Sequence, residues 1–432
     1  MAIQILTIVG YSWIGTAGKL GAAHWMFWLP AVLLFFVPSG IVVAHLAKEM
    51  PLEGGMYQWA RLRFGPMAGF LVAMNIWLFS VLMVSSLGLQ MVSTLPYWIG
   101  QEWVWITTDK RVLLGVSLGL MLILMLVAWR GLAVGKWINN FGGYGQIVVY
   151  VMVLAVAVPY WLAGDWGLRD EAFAVPAFSL LNLNLLGKMG FGALCGVDGV
   201  AVFSGECRSK DVGAAIRRST WLTAPVIGVM MVLGTASVLT FVKPEGIDLV
   251  MPPVQVVSVA MPALAQFLSV LIVMILVAGG CLMFSMLTRF PMVAGWDHLL
   301  PEWFSRLDPR YQTPVWSVVF AGAVSLVFAV AAIVGAGNQE AFQLMFSAAL
   351  VSYACAYLVM FAIPLVAKGE KPSWGVRLAA LSGFAMTLLF VVLSVFPIVE
   401  EQNPGLFTLK MVGLVGGLQL AGVLFYRRQV RE

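Results

Sequence analysis

Two glycine-rich stretches hold the residues that could do chemistry in this 432-residue chain: IVGYSWIGTAGKLG, residues 8–21, and MGFGALCGVDGVAVFSGEC, residues 189–207. The first carries Gly10, Gly15 and Gly18; the second carries Gly190, Gly192, Gly196, Gly199 and Gly205. Both lie in apolar runs long enough to cross a bilayer. A helix broken there leaves amide and carbonyl groups without partners, which survive at membrane depth only beside a cavity or a ligand. The chemistry this suggests is recognition of a small polar molecule by backbone dipoles, with no bond made or broken. Taken one stretch at a time, the glycines could equally serve close helix packing. Asp198 is the one carboxylate well inside an apolar run. It either faces a wet pathway, touching substrate, carrying a proton or pairing across a gate, or it caps the helix that restarts after the break. Glu206, nearer the end of the run, is expected to pair with neighbouring arginines. Lys19 is expected to snorkel to the interface.

The elements that position these residues follow from composition. Hydrophobic residues make up 61% of the chain and charged residues 10%, with a mean hydropathy of +0.94, which excludes a water-soluble globule. A spanning helix takes about 20 apolar residues. Apolar runs fall near 3–18, 25–44, 66–90, 112–129, 144–163, 184–204, 221–242, 264–288, 315–335, 341–363, 376–398 and 406–426. We number these spans one to twelve. Little is left for a soluble domain, so residues 1–432 are expected to form a single membrane domain. With an even count, 18 Lys and Arg fall on one side and 7 on the other, Lys188 being counted with the smaller group. The positive-inside rule then puts both termini in the cytoplasm, and the first apolar run is expected to stay as a signal anchor. Tryptophans near span ends, such as Trp98, Trp103, Trp105, Trp161 and Trp166, read as interfacial belts.

The glycine-rich spans are the first and the sixth, the relation expected of an inverted repeat of five helices. Three stretches carry a family resemblance. AKEMPLEGGMYQWARLRFG, residues 47–65, has a proline, paired glycines and a tyrosine before a basic-aromatic-glycine loop. GVDGVAVFSGECRSKDVGAAIRRS, residues 196–219, has Gly196, Asp198 and Glu206 before a basic helix start. TRFPMVAGWDHLLPEWFSRLDPRYQTP, residues 288–314, has Arg289, Asp297, Leu300, Pro301 and the closing Thr313-Pro314. In these the chain resembles the amino acid-polyamine-organocation superfamily of secondary transporters. The resemblance implies an all-α polytopic membrane protein with a 5+5 inverted repeat of the leucine-transporter type, roughly 1–163 and 184–363, plus two accessory helices within 376–426. It implies alternating access on an amino acid or related amine, with no cofactor and no metal. Matched by position, the substrate carboxylate would meet the first-span segment Ser12, Trp13, Ile14, Gly15, Thr16, Ala17 and Gly18. The ammonium would meet Ala193, Leu194 and Cys195, just before Gly196. A half-helix N-terminus suits an anion and the carbonyl end of another suits a cation.

Several positions depart from the family pattern. Only Gly15 of the Gly-x-x-Ile-Gly-Ser-Gly signature is kept in the match. An acidic gate position at the end of span two is His45. The coupling lysine that some members carry in span five is replaced by Gln146, so proton coupling through that lysine is not available. Coupling is then absent, with exchange against a counter-substrate as the simplest mode, or runs through another group, with Asp198 and Glu206 as candidate proton carriers. Ser285 and Thr288 of span eight are hydroxyls at positions usual throughout the family and do not single out sodium.

Other functions fit poorly. There is no HExxH or GxSxG, and His24, His45 and His298 lie at loops or span ends, which argues against an enzyme. The four cysteines form no CxxC, and the basic residues are spread over short loops, which gives no metal site and no nucleic-acid face. A channel would show charge rings or a repeated filter segment. The nearest alternative is an amine or polyamine carrier, but the segment Gly15-Thr16-Ala17-Gly18, followed by a lysine, lacks the carboxylates such carriers tend to place there. The expected partners are an amino acid and the lipid bilayer, with the plasma membrane as location.

Overall fold

In the computed structural model the described residues are all except 1–7, 9, 51–54, 166–178, 200–211, 297–299, 336–337, 367–371, 397–403 and 430–432. Glu206 therefore lies outside them, as do Asp297 and His298 of the third stretch. Among the described residues the regular structure is helical, without strands. Nine described helices are long and apolar enough to cross a membrane: Gly21–Glu49, Pro66–Ile99, Lys110–Arg130, Asn140–Leu162, Gly213–Phe241, Pro262–Ser285, Leu344–Val366, Trp374–Leu393 and Phe407–Gln429. They coincide with spans two, three, four, five, seven, eight, ten, eleven and twelve. Span nine forms the apolar helix Val315–Gly335. Of spans one and six the described helices include Tyr11–Gly18 and Leu180–Gly187, of eight residues each.

Local chemistry sets many of the ends. Asp109 caps span four, its carboxylate accepting from the amides of Arg111 and Val112, which satisfies two of the donors a helix start leaves free. Ser179 does the same for the first half of span six through the Asn182 amide at 3.1 Å. Span three starts with Pro66 behind Gly65 at φ +94°, a conformation glycine adopts without cost. Inside the spans, buried hydroxyls such as Ser39, Ser80, Thr235 and Thr387 donate to the carbonyl four residues back. Polar side chains are thereby satisfied within their own helix.

The buried fraction separates the central helices from the peripheral ones. Two thirds of the apolar window is covered in spans three and ten (67% each), against 28% in span four and 17% in span twelve. The uncovered faces carry Leu122, Leu126, Val327, Leu409 and Leu420, side chains suited to lipid. Spans eight and ten each pack directly on span three, and span five lies against span eight.

Span twelve is fastened to span three by a reciprocal amide pair. Asn75 Nδ2 donates to Gln419 Oε1 at 3.1 Å and Gln419 Nε2 donates back to Asn75 Oδ1 at 2.5 Å. An interhelical pair of this kind contributes about 0.6–2 kcal/mol in a membrane. Asn75→Leu and Gln419→Leu should each lower the melting temperature of the detergent-purified protein. The double variant should lose less than the sum of the two, because either change alone removes both bonds.

On the side carrying Lys19, outer by the charge count, the short helix Pro252–Ala260 lies between spans seven and eight and packs on span one and span five. Lys19 Nζ donates to the Pro244 carbonyl at 2.6 Å and reaches that of Glu245 at 3.4 Å, so it ties this cover to span one rather than merely snorkelling. Asp248 accepts from the amides of Val250 and Met251 and from the Tyr97 hydroxyl at 3.3 Å, joining the cover to span three. On the opposite side, Asp308 in the loop after span eight accepts from the amides of Arg310 and Tyr311. Those bonds, the Tyr311 amide foremost, hold its carboxyl below the ordinary range.

Candidate functional site

Span one leaves helical geometry at Gly10, ahead of the segment Ser12–Gly18 that the family resemblance gives to the carboxylate. Gly10 is extended (φ −94°, ψ 136°), and Tyr11–Gly18 then forms an uninterrupted helix of eight residues. Ser12 to Gly18 therefore do not form an open cradle, and their amides beyond the first turn are used inside the helix. The free donors of this half-helix are those at its start, Tyr11 and Ser12, since the Trp13 amide already reaches the Gly10 carbonyl at 3.3 Å. Gly15 and Gly18 serve close packing instead. A Cβ on Gly15 would stand 2.7 Å from Pro252 Cγ and 3.1 Å from the Asp248 carbonyl, and one on Gly18 would stand 2.6 Å from Ile247 Cδ1. The two glycines are what let the cover around Pro252–Ala260 seat on span one. Gly15→Leu should prop that cover open, and a cysteine introduced as Tyr97→Cys should then react faster with a maleimide than in the otherwise unchanged protein.

Trp13 reaches from span one to the π turn of span six. Its ring lies where a Cβ of Gly192 would be, 2.5 Å from Trp13 Cη2, and packs on Phe346 of span ten with centroids 5.5 Å apart. Ile14 and Ala17 are fully buried, and Thr16 returns its hydroxyl to the Ser12 carbonyl at 3.0 Å. Beneath the start of the helix, the Tyr11 hydroxyl donates to Gln146 Oε1 at 2.7 Å. Gln146 is thus a buried partner of the first break, which the sequence reading did not anticipate. Tyr150, one turn further along span five, stacks on Tyr11.

Span six breaks where expected. Its first half runs through Leu180–Gly187 and a π turn, Lys188–Gly192, and ends at Ala193 and Leu194. Cys195 still bonds back, its amide to the Phe191 carbonyl at 2.9 Å. At Gly196 the backbone turns to φ +114°, a region that side-chain-bearing residues rarely occupy. The Gly199 amide then returns to the Gly196 carbonyl at 3.1 Å. Ala193, Leu194, Cys195 and Val197 are all buried, so the carbonyls left over at this half-helix end sit in the protein interior.

Asp198, 2% exposed, turns toward span ten. Its Oδ1 accepts from the hydroxyls of Tyr353 and Tyr357, both at 2.5 Å. The Tyr357 oxygen in turn accepts the Gly196 amide at 2.9 Å. One hydroxyl thus closes a chain from the broken backbone to the carboxylate. The amides that Asp198 would cap fall in 200–211, outside the described residues. Around the break stand Phe35 of span two, Phe191 of span six and Phe361 of span ten, whose rings meet Tyr357 at 5.3–5.9 Å. Phe79 of span three stacks on Tyr353 at 4.2 Å. The wall is aromatic and apolar, with one carboxylate.

Not every expected site residue gathers here. His45 sits half-buried near the end of the Gly21–Glu49 helix, and the described contacts bring it to neither break. Ser285 and Thr288 spend their hydroxyl hydrogens on the carbonyls of Cys281 and Ser285. Lys188, counted from sequence with the outer loops, is instead buried inside span six.

The family model described as amino acid permease matches residues 1–416. An uncharacterized transporter of Legionella pneumophila is 25% identical over 385 residues, covering 86% of this chain and 80% of its own. An uncharacterized transporter of Mycobacterium tuberculosis is 26% identical over 311 residues, 68% of this chain and 63% of its own. Among solved structures, MhsT in complex with L-phenylalanine superposes with a TM-score of 0.64 at 13% identity, covering 90% of this chain and 96% of that one. The fold is that of the leucine transporter.

Proposed function

The chain belongs to the amino acid permease family, and we propose that it carries an amino acid across the membrane by alternating access, binding it between the breaks at Gly10 and Gly196. It is an integral membrane transporter by family and by its apolar helices; the substrate class and the mechanism are our inference. The observation that carries it is that two unlike half-helices come together where the Trp13 ring lies against Gly192. The start at Tyr11–Ser12 offers amide donors and positive dipole character, which suits a carboxylate. The end at Ala193–Cys195 offers carbonyls, with the Asp198 carboxylate close by in sequence, which suits an ammonium. A molecule bearing both charges on one carbon is the ligand this polarity fits. The MhsT structure was solved with such a molecule, L-phenylalanine, and the aromatic wall around Tyr357 suits an apolar side chain.

An amine without a carboxylate would leave the amides of Tyr11 and Ser12 unused, which disfavours the polyamine alternative. No step of covalent chemistry is needed for this function, and we assign no enzymatic activity. Purified protein in liposomes loaded with one unlabelled amino acid should take up its labelled form by counterflow. Silence across all twenty amino acids, in protein that remains folded, would overturn the reading.

A further inference from the structure

We propose that Lys188 is the proton-carrying group of the transport cycle, taking a proton from water on the outer side and giving it up on the inner side in step with the substrate. The inference rests on the transport reading above. Lys188 opens the π turn of span six, about 12 Å along the helix from its start at Leu180 by the rise per residue. The residue is 8% exposed, and no hydrogen bond or ion pair links its side chain to any described residue. An ionisable side chain inside the membrane is costly unless it is paired or hydrated, and those that persist mark ion pathways and proton relays. The π turn points the same way, because extra-residue turns gather at functional sites.

No counter-ion waits for it among the described residues. The segment Lys188–Gly192 packs on span eleven and on the stretches Trp25–Ala31 and Val32–Phe36 of span two. The only charged residue those elements bring is Arg377, near the start of span eleven; His24, buried just ahead of Trp25, is the one other titratable group. Leu180–Gly187 contributes none. Asp198 already accepts both tyrosine hydroxyls.

Acceptors are nevertheless available. Asn184 lies four residues earlier, on the same helix face. Its Nδ2 donates to the Phe396 carbonyl at 3.1 Å, while its Oδ1 is buried with no hydrogen-bond partner. Ser394, at the end of span eleven two residues before Phe396, also keeps a buried hydroxyl with no partner. An ammonium has three donors and no acceptor, and Asn184 Oδ1 and Ser394 Oγ are oxygens that can receive them. The flexible four-carbon stem lets the head move outward to these oxygens when protonated and withdraw into the apolar packing when neutral. The proton is added to and removed from Nζ, with water as donor outside and acceptor inside, and no other bond changes. Motion of the segment reaches the substrate region through Gly192, which holds the Trp13 ring, and through Phe191, which packs on Tyr357 at 5.3 Å. This supplies the coupling group that Gln146 leaves unassigned in span five.

The test uses full-length protein in liposomes and reads two quantities for wild type, Lys188→Met and Lys188→Arg. Counterflow reports binding and alternating access without any gradient. Accumulation under an inward proton gradient reports coupling. Wild type should accumulate substrate, while both variants retain counterflow within about twofold and lose roughly tenfold or more of the gradient-driven accumulation. Arginine fails because it keeps its charge but never releases its proton, which separates proton carriage from a need for positive charge alone. Gradient-driven accumulation at the wild-type level in either variant would overturn the proposal, as would wild-type counterflow that no proton gradient enhances. Loss of counterflow in both variants would also overturn it, assigning Lys188 to binding or folding. Absence of wild-type counterflow for every amino acid would remove the transport reading itself, and the proposal with it.

Discussion

Asp198→Ala should abolish transport and lower thermal stability, whereas Asp198→Asn should keep the fold and much of the binding. The difference lies in what each side chain leaves behind. Alanine removes the acceptor of two buried tyrosine hydroxyls at once, and a buried hydroxyl left unpaired costs about 1–3 kcal/mol. It also frees Tyr357 from the position in which it receives the Gly196 amide. A combined loss of about 3 kcal/mol corresponds to roughly a hundredfold in any equilibrium that depends on this arrangement. Asparagine retains a carbonyl oxygen that can accept both hydroxyls, so its cost is the lost charge alone. Counterflow and melting temperature for the two variants, measured alongside Tyr353→Phe and Tyr357→Phe, check this. Equal loss in Asp198→Asn and Asp198→Ala would show that charge, and not the hydrogen-bonded link to span ten, is what matters.

Gly196→Ala should cost at least about tenfold in substrate affinity while the protein still inserts in the membrane. At φ +114° a single added methyl meets backbone strain of about 1–3 kcal/mol. The chain relieves it by turning the peptide away, which withdraws the Gly196 amide from the Tyr357 hydroxyl. Alanine isolates conformation from bulk; leucine at the same position should be worse because the neighbouring side chains are buried. Gly15→Ala provides the contrast. It sits in a continuous helix and meets the cover at Pro252, so its effect should appear in closure of the outer side and leave the break intact. Substrate affinity by scintillation proximity, with surface expression as the control, distinguishes the two glycines.

That contrast also explains how far the site could be read beforehand. The break in span six was legible because five glycines crowd around Asp198 in a short apolar run. The break in span one is harder to place from sequence, because a glycine can serve either backbone freedom or close approach and sequence does not distinguish them. Gly15 and Gly18 serve approach, and Gly10 marks the turn. Gln146 was singled out as a missing charge, yet its role as partner of the Tyr11 hydroxyl depends on a contact 135 residues away, which no local pattern encodes. Tyr353 and Tyr357 stand four residues apart in SYACAYL, which puts both hydroxyls on one helix face and is the local signal of a shared acceptor. Lys188 was misassigned because a charge near the start of an apolar run reads as a loop residue, and only burial shows it to be inside. The spans themselves were legible from hydropathy, since lipid leaves the backbone few choices.

The link from Gly196 through Tyr357 to Asp198 has a consequence for how tightly anything can be held there. Donor and acceptor at this break already satisfy each other within the chain, so an incoming group gains only the difference between its own hydrogen bonds and those it displaces. For a substrate bound at this break as proposed, the Tyr357 hydroxyl is a resident competitor that must be displaced. A carrier built this way has its affinity discounted by the fraction of molecules in which the resident group is in place. Ligands with a single polar end are discriminated against most, because they cannot repay both halves of the bonded pair. On the proposed function, release would benefit equally: the hydroxyl would return as the ligand loosens, so the same internal bond that weakens binding would also hasten turnover.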